Sequence, residues 1–205
     1  MRGLTAWLLG RQRQETMPPE DYFSFMPPLD TARLLLRKVA MRDARDFNAY
    51  ASDPEVARYV LWTAHRDLAD TRNAIRCMRQ QYRLGLPASY AVVRKDMGRM
   101  IGTIGFTAWD PQRRCLEVGY SLAQSCWGQG YAAEALAVLI RQSFRVMRVH
   151  RVEAFHDVDN PASGRVMAKC GMQKEGVLRR LVLNKGVWRD VCLWAVLEDD
   201  PLTDA

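Results

Sequence analysis

Gly128 and Gly130 stand between a strand-like run, Leu116 to Leu122, and a run rich in alanine and leucine beginning near Tyr131. Glycine takes positive φ without a Cβ penalty, and the first N–H groups of a helix have no partner within it. A strand, a glycine turn and a helix in that order therefore aim backbone donors at an anion. The macrodipole adds about 0.3–1 kcal/mol, up to ~2 when the anion is partly buried. Several such donors acting together can hold a diphosphate. Upstream, Leu116, Val118, Tyr120 and Leu122 alternate with Glu117, Gly119 and Ser121, so one strand face packs while the other presents a carboxylate and a hydroxyl. Downstream, Asn160-Pro161 opens another helix, with Asn as cap, Pro at the first helical position and Ser163 in the first turn.

The elements that must position these groups are legible in outline. Ala132, Ala135, Leu136, Leu139, Ile140 and Ser143 recur at helical spacing after the turn, with Arg141 and Arg145 near the C-terminal end. Ser89 to Arg94, Met100 to Trp109 and Leu116 to Leu122 predict three consecutive strands, arranged as an antiparallel meander. Val152 to His156, Val177 to Leu183 and Trp188 to Leu197 predict three more, the last two joined as a hairpin by Asn184-Lys185-Gly186. Thr31 to Lys38 carries a further strand around Leu34-Leu35-Leu36. Helices are predicted over Arg42 to Ala51, from Asp53-Pro54, over Leu68 to Leu84 and over Pro161 to Lys169. Residues 1–30 hold Pro18, Pro19, Pro27 and Pro28 and predict an extended arm, with no helix beyond the first dozen residues.

Composition bounds the class. With 205 residues, 48% of them hydrophobic, the chain can bury a full core. Its five cysteines are odd in number, lack a C-x-x-C pair and read as reduced thiols. The three histidines, His65, His150 and His156, are far from any paired-cysteine spacing, so no metal is expected. The apolar patch Met1 to Leu9 is short, is followed by Arg11 and Arg13, and lacks a signal cleavage site; no run approaches a bilayer span. A cytoplasmic location without membrane attachment is the expectation. The net charge of +7 favours acidic partners, but it is scattered over the chain and lacks the aromatic-rich stripe of a nucleic-acid module.

In this order the segments resemble the GNAT superfamily of acetyl-CoA-dependent acyltransferases, and more narrowly its Rim-type branch of ribosomal-protein N-terminal acetyltransferases. The residues that carry the resemblance are Thr31 to Arg37, Ser52 to Val56, Ile101 to Gly105, the Gly128/Gly130 turn, Asn160 to Ser163 and Lys169 to Gly176. The fold implied is mixed α+β, the GNAT acyl-CoA N-acyltransferase fold. It has a central, mostly antiparallel twisted sheet of about seven strands, splayed at the cofactor cleft and flanked by helices. The implied organisation is an arm over 1–28, the acetyltransferase domain over 29–198 and a tail over 199–205, as a monomer or homodimer.

The resemblance further implies that the amides of Cys126, Trp127, Gly128, Gln129 and Gly130, with Tyr131 and Ala132, bind the pyrophosphate of coenzyme A. Val118, Tyr120, Asn160 and Ser163 would line the rest of its path. Ser125 stands where the superfamily usually has Gln or Arg. Acyl transfer to an amine requires a neutral amine, a stabilised oxyanion and a proton for the leaving thiolate. Glu117 is the candidate base, directly or through water. A strand N–H, with Tyr120 as one position, is the candidate oxyanion donor. Ser163 is the candidate thiol contact, because Met167 occupies the position of the usual tyrosine acid and cannot donate. Trp62, Trp109, Trp127 and Trp188 are candidates for an acceptor pocket.

The implied reaction is direct acetyl transfer to a primary amine in a ternary complex. The acceptor would be a protein N-terminal α-amine or a small molecule such as an amino acid, polyamine or antibiotic. A non-catalytic coenzyme-binding module is the alternative. A dinucleotide oxidoreductase, suggested by Gly128-x-Gly130-x-x-Ala133, is disfavoured because the motif follows a meander and no second βαβ half follows it. A serine hydrolase is disfavoured because Gly119-x-Ser121-x-Ala123 lacks the second glycine.

Overall fold

The computed structural model describes residues 16–203. The Met1 to Leu9 patch and the last two residues lie outside them. Eight strands form one sheet: β1 (Leu29–Asp30), β2 (Leu34–Lys38), β3 (Ser89–Arg94), β4 (Arg99–Asp110), β5 (Cys115–Leu122), β6 (Arg151–Asp157), β7 (Gln173–Asn184) and β8 (Val187–Leu197). Their spatial order is β1-β2-β3-β4-β5-β6-β8-β7. Seven match the strands expected from alternation; β1 has two residues, too few to show a period.

Six α-helices lie among the described residues: α1 (Pro19–Phe25), α2 (Ala44–Ala51), α3 (Pro54–Ala57), α4 (Leu68–Leu84), α5 (Tyr131–Arg145) and α6 (Pro161–Lys169). Asp53 caps α3 by accepting from the Glu55 amide at 2.9 Å, and Asp67 caps α4 through the amides of Ala69 and Asp70. Gly85 stops α4 in the left-handed region. The expected helix over Arg42 to Ala51 begins as a 3-10 turn, Met41–Asp43, before α2.

Helix α1 corrects the extended reading of residues 1–30. Pro19 occupies the first helical turn, where its missing N–H costs nothing, and Glu20 and Asp21 favour the helix start. Tyr22 and Phe23 are fully buried, with ring centroids 6.0 and 5.3 Å from that of Phe106, and the Tyr22 hydroxyl lies 2.9 Å from that of Tyr90.

The strand period sorts side chains into two cores. Tyr90 and Val92 of β3 join the cluster that includes Leu136, Leu139 and Ile140 of α5, whereas Ala91 and Val93 join Phe47, Tyr50 and Ile75 of α2 and α4. The sheet is therefore covered on both faces. Each fully buried Leu or Ile contributes about 1.5–3 kcal/mol of transfer free energy. The Ile101 to Gly105 signature serves this packing. A Cβ on Gly102 would lie 2.3 Å from the Ser121 carbonyl oxygen, and one on Gly105 would lie 2.3 Å from Ser89 Cα.

Every strand pair is antiparallel except β5 with β6. That parallel ladder holds only from Cys115↔Arg151 to Glu117↔Glu153, after which the strands separate. The expected splay is present, and its fork lies at Glu117.

Candidate active site

After β5 the chain makes a 3-10 turn, Gln124–Cys126, in which the Cys126 amide donates to the Ala123 carbonyl at 2.9 Å and that of Trp127 to Gln124 at 3.0 Å. Gly128 and Gly130 follow with φ of 73° and 81°. Gly130 caps α5 without any side-chain bond. The N–H groups of Gly128, Gln129, Gly130, Tyr131 and Ala132 find no acceptor among the described residues, so they are the donors left for an anion. A Cβ built on Gly128 meets nothing within 4 Å, so the turn is open on that side. These features fit a bound diphosphate.

The turn is held by a clip from the β1–β2 connection that sequence reasoning missed. Glu134, on the first turns of α5, accepts from the Thr31 hydroxyl at 2.6 Å, the Arg33 amide at 2.8 Å and Arg33 Nε at 2.6 Å. Arg33 Nη1 donates to the Gln129 carbonyl at 2.9 Å, and its guanidinium lies 4.4 Å from the centroid of the Tyr131 ring. The available signal was a carboxylate among the apolar positions of a core helix, where an unpaired charge is costly.

Burial alone would raise the Glu134 carboxyl, but the bonds from Thr31 and from the Arg33 amide and guanidinium outweigh it and hold its pKa below the ordinary value. A depressed folded pKa gives stability that is present above the unfolded value of about 4.5 and lost as pH falls through the folded one. Glu134→Gln is accordingly expected to destabilise the fold at neutral pH by about 1–3 kcal/mol. It should also flatten the acid limb of thermal stability below pH ~4.5. Melting curves across pH test this: an unchanged acid limb in the variant would remove Glu134 as its source.

The turn opens into a cavity of about 570 Å³. Tyr120, Ser121 and Leu122 of β5, Cys126, Trp127, Gly128 and Gly130 of the turn, and Tyr131 and Ala132 of α5 form one side. Asn160, Ser163, Arg165 and Lys169 of α6 stand on another, and Glu55, Val56, Arg58, Tyr59 and Val60, in and just after α3, close a third. Val118, Gln129 and Glu117 do not line it. Sequence reasoning did not place the α3 wall here, because its residues are brought in from more than fifty positions upstream of β5.

Ladder alternation fixes what the fork exposes. The Ala123 amide donates to the Ile101 carbonyl at 2.8 Å, on the β4 side. The N–H and C=O groups of Tyr120 and Val118 therefore point to the opposite edge, where β6 has stopped pairing. That edge is open to accept a ligand. The Tyr120 hydroxyl donates to the Ser163 carbonyl at 3.0 Å and ties β5 to the first turn of α6, and burial pushes its pKa well up. Glu117 accepts from the Thr107 hydroxyl at 2.6 Å and shares a strand face with Gly119 and Ser121. Ser121 reaches the cavity, so this row leads from the carboxylate to its wall.

On α6, Asn160 accepts from the Ser163 amide at 3.4 Å and its Nδ2 donates to the Ser163 hydroxyl at 3.0 Å. The cap and the candidate thiol contact are thus one unit. Met167 is buried in the core. Of the four tryptophans that were candidates for an acceptor pocket, only Trp127 lines the cavity, with Nε1 donating to the Leu122 carbonyl at 2.8 Å. Trp109 bonds Glu20 of α1, Trp62 packs beside His65, and Trp188 stands exposed on β8. All five cysteines are free. No helix among the described residues is long and apolar enough to cross a membrane, and none of their His, Cys, Asp and Glu side chains cluster as a metal site.

Residues 33–173 match the family described as Acetyltransferase (GNAT) domain. The chain is 34% identical over 173 residues to the uncharacterized N-acetyltransferase p20 of Bacillus licheniformis, covering 84% of this chain and 97% of that protein. It is 28% identical over 179 residues to the ribosomal protein uS5-alanine N-acetyltransferase of Escherichia coli (strain K12), covering 84% and 91%. Its fold is similar to that of Mycobacterium smegmatis RimJ in complex with CoA-disulfide. The TM-score is 0.71 and the identity 26%, with 80% of this chain and 81% of that one covered.

Proposed function

The chain belongs to the GNAT acetyltransferase family and is an N-acetyltransferase; from that premise we propose that it acetylates the α-amine of a polypeptide N-terminus. The family uses acetyl-CoA. The observation that carries the reading is the cavity itself, with the open Gly128/Gly130 turn and the unpaired β5 edge on one side and the α3 wall facing them. The N–H groups from Gly128 to Ala132 would hold the diphosphate, and the unpaired β5 edge at Tyr120 would meet the pantetheine arm. A uS5-alanine N-acetyltransferase among the relatives supports the choice of a polypeptide acceptor.

An α-amine with pKa ~7.7–8.0 is about a tenth neutral at pH 7, whereas a lysine amine near 10.4 is almost wholly protonated. An α-amine therefore suits a site with one modest base. Glu117, at the fork, accepts the proton through water, since Gly119 between it and Ser121 has no side chain to relay one; the Tyr120 N–H stabilises developing negative charge; Ser163 orients the thiol, whose proton comes from solvent. No histidine lines the cavity beside Ser121, Cys126 or Ser163. Transfer within a ternary complex is thus favoured over an acyl-enzyme, which needs an activated nucleophile.

A coenzyme-release screen over peptide N-termini, amino acids, polyamines and aminoglycosides tests the reading. Peptides are expected to turn over without modification of their lysines. Turnover confined to small amines would overturn the acceptor assignment, and none with any amine would leave only coenzyme binding.

A further inference from the structure

The β7–β8 hairpin carries a second concavity, of about 700 Å³, lined by Arg179, Arg180 and Asp190. It is built by a bulge. Leu178 pairs with Val191 and Val182 with Arg189, so Arg179, Arg180 and Leu181 stand opposite Asp190 alone. Arg180 takes φ 48°, and its amide donates to Asp190 Oδ1 at 2.8 Å. Val177 pairs with Cys192 and Leu183 with Trp188, and both pairs share the face of Asp190. The concavity therefore lies between two apolar positions on one face, and Val177, Leu183 and Trp188 are 48%, 53% and 57% exposed. Farther along that face Trp194 packs on α6, where a Cβ on Gly164 would lie 3.3 Å from its Cζ2. Among the described residues, the hairpin thus extends uncovered beyond α6.

We propose that this bare face docks an acidic, apolar-flanked segment of the acceptor polypeptide, its carboxylates on Arg179 and Arg180 and its apolar side chains on Leu183 and Trp188. The proposal rests on the polypeptide-acceptor reading. Charge selects the occupant. Neither guanidinium has an ion-pair partner among the described residues, whereas neighbouring Arg189 is paired with Asp157 and Asp159. Two cations face one carboxylate there, within a chain of net charge +7.

A second copy fits worse, because a central bulge with exposed arginines guards an edge strand against strand pairing. Nucleic acid fits worse as well, because Trp188 is alone where strand binding needs successive stacking rings. The hairpin also meets the cavity. Lys185, at its tip, donates to the Ala57 carbonyl at 2.6 Å and the Val60 carbonyl at 3.0 Å, in the segment that forms the α3 wall. A chain lying on the hairpin would run from the concavity toward the α3 wall of the cavity.

The test is fluorescence anisotropy of the full-length protein with a labelled peptide of Glu, Asp, Leu and Phe, beside a matched peptide with Lys for the acids. Wild type should bind the acidic peptide and not the basic one, with affinity falling as salt rises. Arg179→Glu with Arg180→Glu, and separately Trp188→Ser, should each weaken binding roughly tenfold or more. Acetyl-CoA affinity and the melting temperature should stay at wild-type values. Equal binding by variants and wild type, no binding by wild type, or preference for poly-uridine would overturn the proposal. So would loss of a dimer by light scattering in Trp188→Ser, which makes the face a contact between copies. Binding that depends on the hairpin without acetylation of any peptide N-terminus would overturn the acceptor reading and leave the docking surface standing.

Discussion

Replacing Glu117 by Gln is expected to lower the turnover of acetyl transfer roughly 10²–10⁴-fold at neutral pH, the range that general-base help supplies. Acetyl-CoA affinity should be unchanged, because Glu117 is absent from the lining of the cavity proposed to hold the coenzyme. The carboxylate sits at the last paired position of β5 and β6, where the sheet opens, and is aimed by the Thr107 hydroxyl at 2.6 Å. Gln keeps the shape and the hydrogen bond but cannot take a proton. The loss should shrink as pH rises toward the pKa of the acceptor amine, since a neutral amine needs no base. Thr107→Val should give a smaller, graded loss through misorientation of the carboxylate. Steady-state kinetics with calorimetry on the same preparations decides the matter: wild-type turnover in Glu117→Gln would remove it as base.

Gly130→Ala is expected to weaken acetyl-CoA binding roughly 5- to 30-fold. That factor converts the ~1–2 kcal/mol cost of a left-handed residue with a Cβ. At φ 81° the added methyl lies 3.3 Å from Arg33 Nη2. Arg33 cannot swing away freely, since Nε is bound to Glu134 and Nη1 to Gln129. The turn must then relax, and the five free N–H groups lose their common aim. The unliganded fold carries the same strain, so the melting temperature should also fall by a few degrees. Calorimetric affinity equal to wild type would show that the turn does not hold the diphosphate. Gly128→Ala is the companion: its methyl projects into open space and reports on the cradle without disturbing Arg33.

The Cys126 and Trp127 amides show how local reading can miss a detail. As sequence, Cys126 to Gly130 is one glycine-rich turn, whereas the folded chain spends those two amides on a 3-10 turn and leaves donors from Gly128 onward. Helix α1 shows the same limit. Pro18-Pro19 reads as extended chain until Phe106 and Tyr90 offer Tyr22 and Phe23 a place to pack. Tertiary burial then outweighs local preference.

The meander, the glycine turn, the α5 and α6 starts and the family they spell are legible in the residues alone, because each depends on periods, caps and backbone freedom within a few residues. How those pieces meet is a matter of long-range packing. It set Glu117 at the fork, drew Arg33 across to Glu134, brought the α3 wall to face the turn and tied Lys185 to it. These contacts join residues sixty or more positions apart, or strands whose separation depends on where a ladder ends. No local period encodes them; they follow from packing a twisted sheet between two layers of helices.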